Sequence, residues 1–445
     1  MRWCLLLLGI GLAVAYDCPK DGRLPPSCVC DESEHGMLVR CHNSSIMPIL
    51  KVLNGKTVDI LRIENCTDSF STPEELPVVF VRKVTIQSCE FEDSPKTMFE
   101  AIGSRMRFLN VERNKFQVFP EFGRLGILDT LEIGNNDLTH MTRTTFAELL
   151  RLRTLRMNNG SLTHFPTLAL KSLNKTLLTL DLSHNLFTDI AAILLPGSHL
   201  KKLDLSYNLI ASVRIPSFWN MSALVELKLN NNKITELVTW NSMATLKVLD
   251  LRGNDIRKIS NNFFKSVEAV EMLDVSSNSI VEIPDVSMMK SLANINLDNN
   301  NIHSLGEGLF DKNSKLKTVS CRNNRISHIS KDTFSTVSGI KLLFLNNNTI
   351  NVIEKGAFAK LHEVVEVGLS NNKHIEIANV TDPDMKRLVT LDLSSNRLET
   401  LKRNDFAADH GLVSLEYVDV RNTGLESIEK GAFHNKTSTI LIGGK

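Results

Sequence analysis

Neither sign of charge is in excess in this chain of 445 residues: Lys and Arg number 51, Asp and Glu 50, for a formal net charge of +1. That balance removes both the basic bias of a nucleic-acid binder and the acidic excess of a disordered, solvating chain. Aromatics are scarce at 6%, with three Trp and three Tyr, so most of them are Phe. The signatures of catalysis are missing as well. There is no G-x-S-x-G, H-E-x-x-H, phosphate loop or dinucleotide fingerprint, so neither an enzymatic activity nor a cofactor is expected. Beyond the first residues no run approaches the roughly 20 apolar residues that span a bilayer. The C-terminal "NKTSTILIGGK" also lacks the apolar tail of a lipid-anchor signal.

What is present begins with "MRWCLLLLGIGLAVAYDC". Arg2, an apolar stretch and Ala13-x-Ala15 predict a secretory signal peptide over residues 1–15, and hence a secreted, extracellular protein. Eight N-x-Ser/Thr sequons agree with that route: Asn43, Asn65, Asn159, Asn174, Asn220, Asn347, Asn379 and Asn435. An Asn-rich chain meets Ser and Thr by chance, so several of these sites, and not every one, are expected to carry glycans.

The stretch "LKKLDLSYNLI", residues 200–210, follows L-x-x-L-x-L-x-x-N-x-L, and it recurs. Copies include "LVELKLNNNKI" (224–234), "LKVLDLRGNDI" (246–256) and "LVTLDLSSNRL" (388–398). The Asn position falls at 66, 89, 114, 136 and so on to 396 and 423, sixteen copies spaced 22 to 27 residues apart and most often 24. This period is that of the leucine-rich repeat. The expected fold is therefore an α/β leucine-rich repeat solenoid, a curved horseshoe. It would carry a concave parallel sheet, with short irregular or helical segments on the convex side. Within L-x-L the leucines alternate onto one face of a short strand, and the Asn turns inward to satisfy backbone groups of the turn. Ten residues past the Asn position runs a row of phenylalanines, among them Phe99, Phe146, Phe264, Phe310, Phe334, Phe358 and Phe406, expected as a buried spine and not a ligand pocket. The expected divisions are an N-terminal cap over 16–52, repeats over 53–430, and a terminal strand or incomplete C-terminal cap over 431–445.

Cys18, Cys28, Cys30 and Cys41 form a C-x9-C-x-C-x10-C cluster directly before the first repeat. In an exported chain this reads as two disulfides, with three pairings open; zinc is disfavoured because C-x-C lacks the finger spacing. Cys66 and Cys89 replace Asn in the first two repeats. Their Cα atoms should lie about 5 Å apart, inside the disulfide window, yet side chains running parallel down a ladder are poorly aimed, so a bond is the lesser expectation. Cys321 takes a core Leu position and is expected as a buried free thiol.

The informative letters are those between the leucines, which alternate onto the concave face. In residues 200–210 they are Lys202, Asp204 and Ser206, with Tyr207 at the strand's end. Much of the acidity of that face belongs to the recurring L-D-L-S form. The departures say more: Arg322, Leu342, Phe344 and Asn346 fall side by side and make a plausible binding patch, with the Asn347 sequon adjoining it. His140, His164 and Asp189 share one outward position in consecutive repeats. They are a weak metal candidate, and three polar residues on a solvated face explain them better, so no metal is expected.

The cysteine cluster resembles the amino-terminal cap of extracellular leucine-rich repeat proteins such as Slit, decorin and the Nogo receptor. That resemblance implies the pairing Cys18–Cys30 and Cys28–Cys41. Repeats and cap together resemble Toll-like receptor and chaoptin ectodomains. "CPKDGRLPPSCVC" with "LRIENC" and "VTIQSC" resembles secreted arthropod proteins that include the non-catalytic subunit of a shrimp luciferase. These resemblances imply non-enzymatic recognition of a protein or glycoprotein partner, in immunity, adhesion or matrix organisation, with no nucleic acid and no membrane span. Alternatives are a receptor ectodomain or truncated receptor form, and a non-catalytic subunit that stabilises a secreted enzyme. A homo- or heterodimer is left open.

Overall fold

The structure is a computed structural model that describes residues 17–20, 22–66, 76–89, 91, 96–139, 141–164, 169–190, 199–214, 218, 221–407, 411–434 and 439–441. Expectations for the leader, residues 1–15, lie outside them. The chain divides into two compact units, Met1–Ser161 with Leu168–Thr176, and Leu162–Thr167 with Leu177–Lys445.

The amino-proximal unit opens with an antiparallel hairpin, Cys28–Ser33 against Gly36–His42. The second arm then starts a parallel sheet that continues through Thr57–Glu64, Phe80–Gln87, Phe108–Asn110, Thr130–Glu132 and Thr154–Arg156. Its early strands are eight residues long and its later ones three. The carboxy-proximal unit is a ladder of twelve parallel strands from Thr179–Asp181 to Thr439–Leu441, each pairing in register with the next. Each unit is thus a β-solenoid of stacked coils, the fold of a leucine-rich repeat.

Period-2 alternation explains every strand. In Lys202–Asp204 the central Leu203 is 1% exposed while its neighbours face outward, and Leu205 is fully buried. Beyond the strand, Asn232 shows why the consensus demands asparagine. Its Nδ2 donates to the carbonyls of Leu229 in its own coil (3.0 Å) and Leu205 in the coil before (2.9 Å). Its Oδ1 accepts the N–H of Ile210 at 3.0 Å. One amide therefore satisfies three buried backbone groups and stitches two coils. Asn254, Asn300, Asn324 and Asn348 repeat the arrangement.

The residue just before that Asn adopts a left-handed conformation in coil after coil, with φ near +55° at Asn135, Asn159, Asn231, Asn299, Asn323 and Asn347. Asparagine tolerates this region better than other side chains, which accounts for the recurring N-N and S-N pairs. Among the described residues the backs of the coils hold short pieces: helices Ile46–Val52, Lys96–Ile102 and Phe263–Ser266, some single 3-10 turns, and two-residue strand pairs such as His328–Ile329 with Val352–Ile353. Phe99 and Phe146 in the amino-proximal unit, and Phe264, Phe310, Phe334, Phe358 and Phe406 in the carboxy-proximal unit, are all at most 1% exposed and form a buried row in each. Phe433, at the same step, is only half-buried, a departure from the expected spine. Phe310, Phe334 and Phe358 follow one another with ring centroids 5.9 and 6.0 Å apart.

Cys18 bonds Cys30 and Cys28 bonds Cys41, the second pair joining directly opposed positions of the hairpin. Cys66 and Cys89 are also joined, with Cα atoms 4.4 Å apart. This corrects the expectation that ladder geometry would keep them separate. At that spacing two side chains of one carbon each can turn from the ladder direction and meet across the coils. Cys321 is fully buried and free, and burial pushes its thiol far above the usual range, so it stays protonated and inert.

Candidate functional site

Three adjacent strands, Thr318–Ser320, Leu342–Phe344 and Glu366–Gly368, place Ser320, Phe344 and Gly368 in succession where the middle column of the open face elsewhere holds mostly acidic or amide residues. Leu343 anchors the middle strand in the core at 0% exposure, and alternation turns Leu342 and Phe344 outward, each half-buried. The Arg322 guanidinium lies over the Phe344 ring, Cζ 3.7 Å from its centroid. That is a close cation–π contact.

The stack is held from the coil before. The Asp298 carboxylate accepts the backbone N–H of Arg322 at 2.6 Å and the Ser320 hydroxyl at 2.7 Å, and lies 3.7 Å from the guanidinium. On the other side Asn346 donates to Ser370 Oγ at 2.7 Å and Asp392 Oδ2 at 3.2 Å. Its Oδ1 rests against Gly368, where a Cβ would come within 2.3 Å, and that oxygen is buried without a hydrogen-bond donor. The patch is therefore a braced surface with an ordered cation on an aromatic ring. Sequence reasoning brought together Arg322, Leu342, Phe344 and Asn346. It missed Asp298 and Gly368, whose roles appear only when the coils are stacked.

Lys202 and Asp204 are placed differently. Lys202 pairs with Glu226 at 2.8 Å. Asp204 accepts from the Ser206 N–H and hydroxyl at 3.0 and 2.6 Å and lies 3.3 Å from Lys228. The same Asp-x-Ser brace recurs at Asp181, Asp274 and Asp392. The L-D-L-S acids thus cap the strand's exit turn, and their charge is mostly scaffold. At Asp250, where Arg252 replaces the serine, burial raises the carboxyl above its usual range despite the Arg252 N–H.

Tyr207 is 48% exposed, takes the left-handed position with φ +54°, and stacks on His184 with centroids 4.1 Å apart and planes 9° from parallel. Leu186 and Leu209, each 43% exposed, stand two residues beyond the two rings. This apolar quartet was not legible from Tyr207 alone. Its signal is the pair "HNL" and "YNL", where most coils place polar residues on both sides of the Asn.

Of the sequons, Asn43, Asn65, Asn159 and Asn347 are exposed and all hold the left-handed position. Asn174 and Asn379 are half-buried, and Asn220 and Asn435 lie outside the described residues. His140 also lies outside them; His164 contacts Thr163, and Asp189 bridges to Ser212. Among the described residues no group of three or more His, Cys, Asp or Glu is placed to hold a metal. Nor is any described helix long and apolar enough to cross a membrane.

The Leucine rich repeat family matches residues 175–234, 198–256, 290–334 and 314–373. A 111-residue stretch is 36% identical to mouse leucine-rich repeats and immunoglobulin-like domains protein 2, covering 25% of this chain and 10% of that protein. Among solved structures, a leucine-rich repeat protein of Leptospira interrogans is similar at TM-score 0.63 and 21% identity, over 80% of this chain and 88% of its own. A chain of the Drosophila Toll–Spatzle complex is similar at TM-score 0.66 and 18% identity, over 92% of this chain and 64% of its own. These likenesses are of fold: the family matches fall within residues 175–373, and this chain spans only a tenth of the mouse relative it matches.

Proposed function

We propose that this is a secreted, non-enzymatic recognition protein that holds a protein or glycoprotein partner on the open face of its repeat sheet, centred on Phe344. One observation carries the reading: the Arg322–Phe344 stack, braced by Asp298, in a face whose recurring L-D-L-S acids cap turns. An aromatic ring and an arginine already ordered in the free protein meet a partner with little further loss of side-chain freedom. The disulfides suit an oxidising, extracellular setting.

The test is Phe344→Ala, since a half-buried ring on the strand's outer face is dispensable for the core. Wild-type protein used as bait in its native fluid supplies the partner, identified by mass spectrometry. The variant is expected to melt within a few degrees of wild type and to bind that partner at least tenfold more weakly, on the order of 2 kcal/mol. Unchanged affinity in a folded variant removes this patch from the reading.

A further inference from the structure

The edge where strands enter the sheet carries a second feature. Lys317 and Lys341 occupy neighbouring backbone positions, the Lys341 N–H donating to the Lys317 carbonyl at 2.8 Å, and Lys315 lies two residues earlier. All three are exposed, and Lys290 and Lys312 are exposed beside them. On this edge several other basic side chains have a carboxylate, Lys247 with Glu271 at 2.9 Å, Arg153 with Asp129 at 3.6 Å, and Arg387 with Glu363, while Lys201, like these lysines, has no ion pair among the described residues. The described residues offer Lys315, Lys317 and Lys341 no ion pair. Like charges on adjoining strands repel, and Glu271, the carboxylate whose charge Lys315 favours, is already held by Lys247.

Lys315 and Lys317 line a shallow groove together with Ser291, Ala293, Ser314, Leu316 and Gly339, and Lys341 follows on the next coil. Small residues keep it open, serine hydroxyls stand ready to hydrogen-bond, and no exposed large apolar side chain lines it. Glu271 closes one end, with its carboxylate held by Lys247 and its pKa lowered chiefly by that hydrogen bond. Asp311, next to Lys312, is engaged by the Thr336 hydroxyl.

We infer that this groove binds a sulfated polysaccharide of the glycosaminoglycan type, separately from the Phe344 patch. Clustered lysines bind such polymers through their charge. A linear chain of sulfates can follow cations repeated on coils about 4.8 Å apart. A folded protein partner would need an apolar anchor, and the groove has none.

The probe is a size-defined heparin oligosaccharide, titrated calorimetrically at low and at physiological salt against the whole chain. Wild type is expected to bind, and to weaken at least tenfold as salt rises. The triple variant Lys315→Ala, Lys317→Ala, Lys341→Ala should keep its melting temperature and lose at least tenfold in affinity. Lys202→Ala and Phe344→Ala should each bind the oligosaccharide as wild type does. A triple variant with wild-type affinity overturns the inference, as does equal binding of a desulfated oligosaccharide. Equal binding of a poly-glutamate peptide overturns it in favour of an acidic polypeptide. Because Phe344→Ala is scored here for polysaccharide and above for the partner, either reading can fail while the other stands.

Discussion

The first coils of the amino-proximal unit and the coils from Glu226 to Asp392 in the other unit tie neighbours together by different chemistry at the same place. In the regular coils an inward asparagine makes three hydrogen bonds to backbone groups of two coils. In the first two coils that position is Cys66 and Cys89, and a covalent bond replaces the amides. The first coils also have strands of eight residues where the regular ones have three. The difference shows that the repeat accepts either chemistry as a link between coils at this point, and Gly160, with no side chain there, shows that a single coil can do without one. The amide link holds in any redox setting; the covalent one holds only where thiols stay oxidised.

Breaking the covalent link gives the largest expected effect. Cys66→Ala with Cys89→Ala opens a loop of 23 residues, for which chain entropy predicts a loss of roughly 3 kcal/mol. Hydrogen exchange followed by mass spectrometry should show faster exchange in Thr57–Glu64 and Phe80–Gln87 and leave Val248–Asp250 unchanged. Mild reductant should have the same regional signature in the wild type. Equal loss of protection in both units would mean that the covalent link is not local.

The amide link comes next. Asn232→Ala strands two buried carbonyls and one N–H, at a cost of about 2 kcal/mol. It should appear as lost protection in Lys202–Asp204 and Glu226–Lys228, the two strands that the amide joins, with the amino-proximal unit unaffected.

Acid separates the two regions by sign. Asp59 in the amino-proximal unit has its pKa lowered, first by the hydrogen bond from Arg82. Its stabilising contribution is therefore complete above the unfolded carboxylate range and lost as pH falls through the lower folded value. Asp250 has its pKa raised, first by burial, so its contribution favours the fold in acid and fades as pH rises through the folded value. Asp59→Asn should lower the unfolding free energy near neutrality by about 1 kcal/mol, the deficit vanishing in strong acid. Asp250→Asn should slightly raise stability near neutrality and keep the turn, since an amide oxygen still accepts the Arg252 N–H. Chemical denaturation at a series of pH values reads both, and the same sign for both variants would refute the assignment.

How far this was legible in the sequence depends on which features repeat and which do not. The period specifies strand, inward Asn and Phe spine because they recur in step, although not every coil carries the Asn or the Phe. The cysteine ladder was misjudged because adjacency in coil space was legible but the freedom of two short side chains to turn was not. At the Phe344 patch the outward residues could be read off by alternation. Asp298 and Gly368 could not, since each acts on a residue one coil later or earlier, some 22 to 24 positions away. The Asp column was read correctly as consensus, but its cause, the cap on the exit turn, needed the hydrogen bonds to Ser183, Ser206, Ser276 and Ser394.

The smallest effect tests whether a coil can be made regular again. Tyr207 stands where most other coils place asparagine or serine, at φ +54°, a conformation costly for a bulky side chain. Its stacking on His184 offsets part of that strain. Tyr207→Asn exchanges the stack for a residue suited to the left-handed region and should raise stability by about 0.5 kcal/mol, a shift of a degree or so in melting temperature. A rise means that the exposed ring is kept against the preference of the fold, as expected of a contact surface formed with His184, Leu186 and Leu209. A fall means that the stack itself holds the coil, and Tyr207 then belongs with the scaffold.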